Sequence, residues 1–183
     1  LGIIGEELDR IMTMIIPLPE ELLELLNSGM QAESALDWLV LIVGVIVLTA
    51  ILEELLFRCF LQTTLESKLD ITRAVITTAF VFSFFYANPI SIVQIVLAGV
   101  VLGVLAWKSD SFLPSACAHM MINAVGIALA DHFLGQAGIL NWNGHVHPFL
   151  LLPVCLVLYV SIVLFYRFVE EDLEISTFLN EPM

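Results

Sequence analysis

The chain has 183 residues, 60% of them hydrophobic and 14% charged, with a mean hydropathy of +0.99. That apolar excess excludes an ordinary soluble domain, and the length admits one helical bundle without a second sizeable domain. The net charge of −13 sits largely at the flanks, with eight acidic residues before Trp38 and five from Glu170 onward, which argues against nucleic acid and against a polybasic grip on a membrane surface.

Residues 1–35 form an amino-terminal segment. The chain begins on Leu1 without a signal-peptide pattern, so a segment upstream is expected. Within it, "PLPEELLELLNSG" predicts an amphipathic helix: Pro19 suits a start, Glu20 and Glu21 favour the helix dipole, and Gly29 closes it after Asn27. Its leucines, Leu22, Leu23, Leu25 and Leu26, face away from the glutamates, either toward a bilayer interface or onto the mouth of a bundle. Five apolar stretches follow, at about 38–60, 74–88, 91–107, 112–130 and 149–166, each a candidate span; the second is short against the roughly 20 residues a crossing takes.

Basic residues alternate between the connections. Lys68 and Arg73 lie between the first two stretches, Lys108 between the third and fourth, and Arg167 after the fifth, whereas "ANPIS" and "DHFLGQAGILNWNGHVHP" contain none. Positive-inside counting puts the amino-terminal segment outside and the acidic tail, 169–183, in the cytoplasm. The expected fold is an all-α polytopic membrane bundle over 36–168, with a polar cavity built from its first, second and fourth spans.

That cavity is inferred from residues a bilayer resists. "ILEELLFRCFL" sets Glu53 and Glu54 side by side in an apolar run, and each mid-membrane charge costs about 2.5–3.5 kcal/mol on insertion scales. Glu54 and Arg58 are four apart and can pair along one helix face, while Glu53 points about 100° away and needs another partner. In the fourth stretch His119 and Asn123 are also four apart, so both offer hydrogen-bond donors toward one small target. Counted at ~1.5 Å per residue, Glu53 is ~24 Å from Asp37 and His119 is ~12 Å from Ser111, depths at which the two patches can meet.

These residues carry a resemblance. "EELLFR" matches the EExxxR motif of the CPBP intramembrane proteases, which include the type II CAAX prenyl endopeptidases and bacteriocin-processing proteins, and "HMMIN" matches their HxxxN motif. The intervening "GVVLGVLAWKSDSFLPSACAH" is similar to their helix, loop and helix, and the resemblance covers about residues 36–130. It implies an endopeptidase in which Glu53 activates water, Glu54 and Arg58 support it, and His119 with Asn123 stabilise the oxyanion. The family's FxxxH motif departs here: in "FSFFYANP" Phe82 is in place and Tyr86 stands where the histidine is expected, with Asn88 the alternative register. A phenol of pKa about 10 is no base at neutral pH. Mechanisms with and without a divalent metal both remain open, although Glu53, Glu54 and one histidine make a poorer zinc site than a set with two. No other cofactor is implied.

Two smaller features complete the reading. His145 and His147 fall in the loop "NWNGHVHP" with no neighbouring carboxylate in sequence, and are expected to be solvated; Pro148 opens the last helix. Cys59, Cys117 and Cys155 are expected to be small buried hydrophobes. Two functions compete: an endopeptidase acting on a peptide or protein substrate at the membrane, and a catalytically silent relative binding peptide, lipids or a larger membrane complex. A bacterial inner membrane is the expected location. A transporter fits less well, because the sequence shows neither paired broken helices nor a ring of like charges.

Overall fold

Glu6, Glu7, Asp9 and Arg10 interrupt the apolar residues Ile3, Ile4, Leu8 and Ile11 at helical spacing, and the first element is accordingly a helix, α1 (Gly2–Ile15). The computed structural model describes residues 1–19, 21–22, 32–130, 142–143 and 145–180, with side chains in the last helix as far as Phe168. The amphipathic helix expected at Pro19–Gly29 falls largely outside these residues.

Ser34 opens the first span. Its hydroxyl accepts from the Asp37 N–H at 3.2 Å, and Asp37 Oδ2 accepts from the Ser34 N–H at 2.8 Å, a reciprocal cap that satisfies two otherwise unpaired donors. Helix α2 then runs Ala35–Glu66. It widens into π-helical, i→i+5 bonding over Leu41–Thr49 and Leu55–Gln62, and only the turn between them, Ala50–Glu54, keeps α geometry. Such wide turns free backbone carbonyls for partners on other helices and recur at functional sites.

Asp70 caps α3 (Ile71–Phe85), accepting from the Arg73 N–H at 3.0 Å. At 15 residues it is a short apolar helix, below the length of the three helices that can cross a bilayer among the described residues. Ala87, with φ 49°, turns the chain into α4 (Ile92–Ser109), which Asp110 closes at φ 47°. Then come α5 (Leu113–Ala130) and α6, a continuous helix Pro148–Asn180 that opens on the expected proline and carries Pro153 within its first turns.

Helix α4 packs most closely against α3 and next against α5. Two glycines permit the α3–α4 approach: a Cβ on Gly99 would lie 3.0 Å from Ala79 Cβ and 3.1 Å from its Cα, and one on Gly103 would lie 3.0 Å from Val75 Cγ1. This Gly-xxx-Gly spacing is the small-residue contact of membrane helices. The bundle is inverted relative to a soluble protein. Glu54, Gln62, Thr78, Ser83 and Ser115 are among its most buried side chains, while Leu52, Phe60, Phe84, Met121 and Leu152 are exposed. Leu52, Phe60 and Leu152 lie on helices long enough and apolar enough to cross a bilayer, where exposed apolar side chains face lipid. The protein is an integral membrane protein with an all-α helical bundle.

The cysteines correct the reading from sequence: Cys59, Cys117 and Cys155 are all exposed. The preference of cysteine for interiors was learned in water, and on these helices the apolar side faces lipid.

Helix α1 is held to the bundle by two carboxylates. Asp9 Oδ2 accepts from Ser91 Oγ and Gln94 Nε2, each at 2.7 Å, at the start of α4. Glu7 accepts the Val146 N–H at 2.7 Å and lies 2.7 Å from His145 Nδ1. A carboxylate thus reaches His145 from the far end of the chain, and that histidine is not merely solvated. Burial pushes the Asp9 carboxyl up from 3.8 to about 6, against the opposing bond from Ser91. Its folded pKa exceeds its unfolded one, so the attachment of α1 strengthens as pH falls through about 6 and weakens as pH rises through it. Burial also acts on Glu7, but the bonds from Val146 and His145 outweigh it and hold that carboxyl below 4.5, so its contribution is lost only at lower pH. Hydrogen exchange of the α1 amides between about pH 5 and about pH 8 should therefore speed up with pH beyond the intrinsic rate. Asp9→Asn should remove the excess; an unchanged profile would show that Asp9 does not titrate there.

Candidate active site

The α-helical turn Ala50–Glu54 brings both glutamates to the inner side of α2, where Glu53 is 9% and Glu54 0% exposed. Arg58, 2% exposed, turns its Nε toward Glu54 Oε2 at 3.1 Å, the pairing expected from four-residue spacing. The guanidinium also lies over the Phe82 ring, 5.5 Å from its centroid. Neither charge faces lipid.

His119 comes from α5 and sits between the two carboxylates. Its Nδ1 is 3.0 Å from Glu54 Oε1, and its Nε2 is 3.7 Å from Glu53 Oε2. A proton on Nδ1 donates to Glu54, so Arg58 and His119 both bind that carboxylate and fix its orientation. Glu53, the residue left without a partner on its own helix, is met from α3: Tyr86 O–H donates to Glu53 Oε2 at 2.6 Å. Phe82 forms the floor, its ring edge-on to Tyr86 at 5.3 Å and to His119 at 5.7 Å. Asn88 is instead spent in the following turn, where its Oδ1 accepts from the Ile90 and Ser91 N–H groups. Tyr86 and not Asn88 is therefore the α3 residue at the site.

Asn123 has a partner that its spacing from His119 does not suggest. Its amide donates one N–H to the Val45 carbonyl at 3.0 Å, in the π-helical part of α2, and keeps a second. Nothing in the local sequence announces that carbonyl as a partner.

The donor set does not fit a metal centre. Arg58 holds a positive charge against Glu54, Tyr86 donates to Glu53, and only one imidazole is present, bound to Glu54 through Nδ1. What the cluster offers is acid–base chemistry: a carboxylate at Glu53, an oriented imidazole at His119, and a phenol hydrogen-bonded to the carboxylate. Glu53, Glu54, Arg58, Phe82, Tyr86 and His119 all meet there from three helices, and Asn123 lies one turn beyond.

Residues 35–125, about half of the chain, match the family model described as type II CAAX prenyl endopeptidase Rce1-like. No curated protein and no solved structure matches. The matched stretch contains α2 to α5 up to Val125, and so every residue of the cluster. Through these residues the chain belongs to the CPBP membrane proteases, as a type II CAAX prenyl endopeptidase Rce1-like protein.

Proposed function

We propose that this CAAX-protease-type protein hydrolyses a peptide bond of a membrane-associated peptide or protein, with Glu53 as the base. One observation carries the reading: Glu53 and His119 Nε2 face each other at 3.7 Å in the buried interior, while Glu54 and Arg58 hold the imidazole in place. Glu53 takes a proton from water as the new C–O bond forms, and returns it to the amine nitrogen as the C–N bond breaks. His119 Nε2 is the imidazole nitrogen that faces Glu53 and, when protonated, would donate to the tetrahedral oxyanion, with the second N–H of Asn123 as the other donor expected there. Incubation of purified protein with a library of lipidated and unlipidated fluorogenic peptides tests this. Glu53→Gln, which cannot accept the proton, should abolish cleavage; cleavage persisting at the original rate would remove Glu53 from the role.

A specific contact favours a second reading, a silent relative that binds peptide, lipid or a larger membrane complex. The Tyr86 phenol donates directly to Glu53 at 2.6 Å, which occupies a lone pair the base would use. Complete absence of cleavage across the library, with the fold intact, favours this reading.

The proposed location is the bacterial inner membrane with the carboxyl end in the cytoplasm. Support comes from the positions of Lys68 and Arg73 at the α2–α3 connection, Lys108 at the end of α4 and Arg167 beyond the apolar part of α6, all on one side by alternation of the helices. A cysteine replacing Lys68, in a chain whose native cysteines are changed to serine, should react with an impermeant reagent only after the cells are opened. Reaction in intact cells would invert the topology.

A further inference from the structure

We propose that the cavity between α4, α5 and α6 binds one acyl chain of an anionic phospholipid, with the lipid phosphate resting on Lys108. The cavity measures about 490 Å³ and is lined by Val100 and Val104 of α4, Ala118 and Ile122 of α5, and Leu158 and Ser161 of α6. It is distinct from the candidate active site: Ala118 and Ile122 face it, whereas His119 and Asn123 on the same helix face α2. Apart from Ser161, and Tyr166 at one end, its lining side chains are apolar. An apolar cavity of this kind does not hold water but accepts apolar ligands, and here the surrounding medium is hydrocarbon.

The polar end identifies which lipid. On α4, Val100, Val104 and Lys108 follow one another at four-residue spacing, and on α6 Leu158, Ile162 and Tyr166 do the same. Both stripes leave the cavity at the same end, where Lys108 Nζ lies 5.0 Å from the Tyr166 ring centroid and 5.5 Å from that of Trp107. A lysine between an indole and a phenol at the end of a span marks headgroup depth. Among the described residues Arg10, Arg58 and Arg73 each pair with a carboxylate whereas Lys68, Lys108 and Arg167 do not, and of those three it is Lys108 that lies against the Tyr166 ring at the cavity's end. The nearby Asp110 and Glu66 line a separate cavity of about 130 Å³, together with Arg58. A cation above an apolar slot fits an anionic headgroup with its chain below.

Native mass spectrometry of the purified full chain, with equimolar dioleoyl phosphatidylglycerol and phosphatidylcholine, tests the site without reference to proteolysis. The first phosphatidylglycerol adduct should exceed the phosphatidylcholine adduct by about fivefold, the preference one lysine near a membrane surface confers. Lys108→Gln should equalise the two. Ser161→Phe should remove the first adduct of both by filling the cavity, and Val104→Phe should do so from the opposite helix if the first variant is poorly folded. Equal adducts on the original protein, a preference that survives Lys108→Gln, or full binding in both filled variants would each overturn the proposal. So would one-for-one displacement of phosphatidylglycerol by a farnesylated peptide, which would assign the cavity to a substrate's chain.

Discussion

Tyr86→His should raise peptide hydrolysis at least about tenfold over the original protein, a floor set below the roughly 10²–10⁴-fold of a full general-base contribution. The phenol oxygen reaches Glu53 directly, at 2.6 Å. An imidazole at the same position is shorter, stops short of the carboxylate and leaves room for a water that both groups can hold. Glu53 would also recover the lone pair now taken by the phenol. Tyr86→Phe separates these effects, since it frees Glu53 without supplying a base and should yield less gain than histidine. Initial rates on the same peptide library measure all three proteins. Equal rates for Tyr86→His and the original, with cleavage present in both, would show that the α3 position does not take part in water activation. Cleavage by Tyr86→His alone would mark the natural chain as a silent relative whose machinery one substitution restores.

Much of this centre was legible before any coordinates, because a bilayer makes polar residues expensive and so makes each one informative. Glu54 and Arg58 lie on one helix, and their spacing alone implied the pair. The approach of His119 followed from depth counting, since two polar patches at similar depth in one bundle seek each other. Tyr86 against Glu53 came from the resemblance, which aligned α3 with a motif, and periodicity by itself would not have chosen between Tyr86 and Asn88. The Asn123–Val45 bond stayed hidden because helical wheels assume 3.6 residues per turn, and the π-helical backbone over Leu41–Thr49 breaks that assumption. The Glu7–His145 contact was equally out of reach, because its partners stand 138 residues apart and no motif links them. The glycines at 99 and 103 did carry a readable signal, the small-xxx-small spacing, and it points to the α3–α4 crossing that holds Phe82 and Tyr86 beside α2.

Arg58→Leu should be the most destabilising single change in the centre, by about 3–5 kcal/mol, the usual cost of stranding one member of a buried pair. Glu54 is fully buried, and removing the guanidinium takes away its permanent counter-ion. The Phe82 ring loses its cation as well, so the α2–α3 contact weakens together with the α2–α5 one. The cost lies in the uncompensated carboxylate, not in the attraction of the pair, and that distinction can be measured. Replacing both partners with apolar residues of similar size, Glu54→Met with Arg58→Leu, should recover most of the lost stability, since neither charge then remains to be desolvated. Chemical unfolding of the three proteins in mixed micelles supplies the comparison, with cleavage or ligand binding as a separate readout. The double variant should be folded yet functionally inert, because His119 no longer has the carboxylate that orients it. A single Arg58→Leu as stable as the original would mean that Glu54 is protonated inside the bundle, and the ion pair would then have no part in holding the centre together.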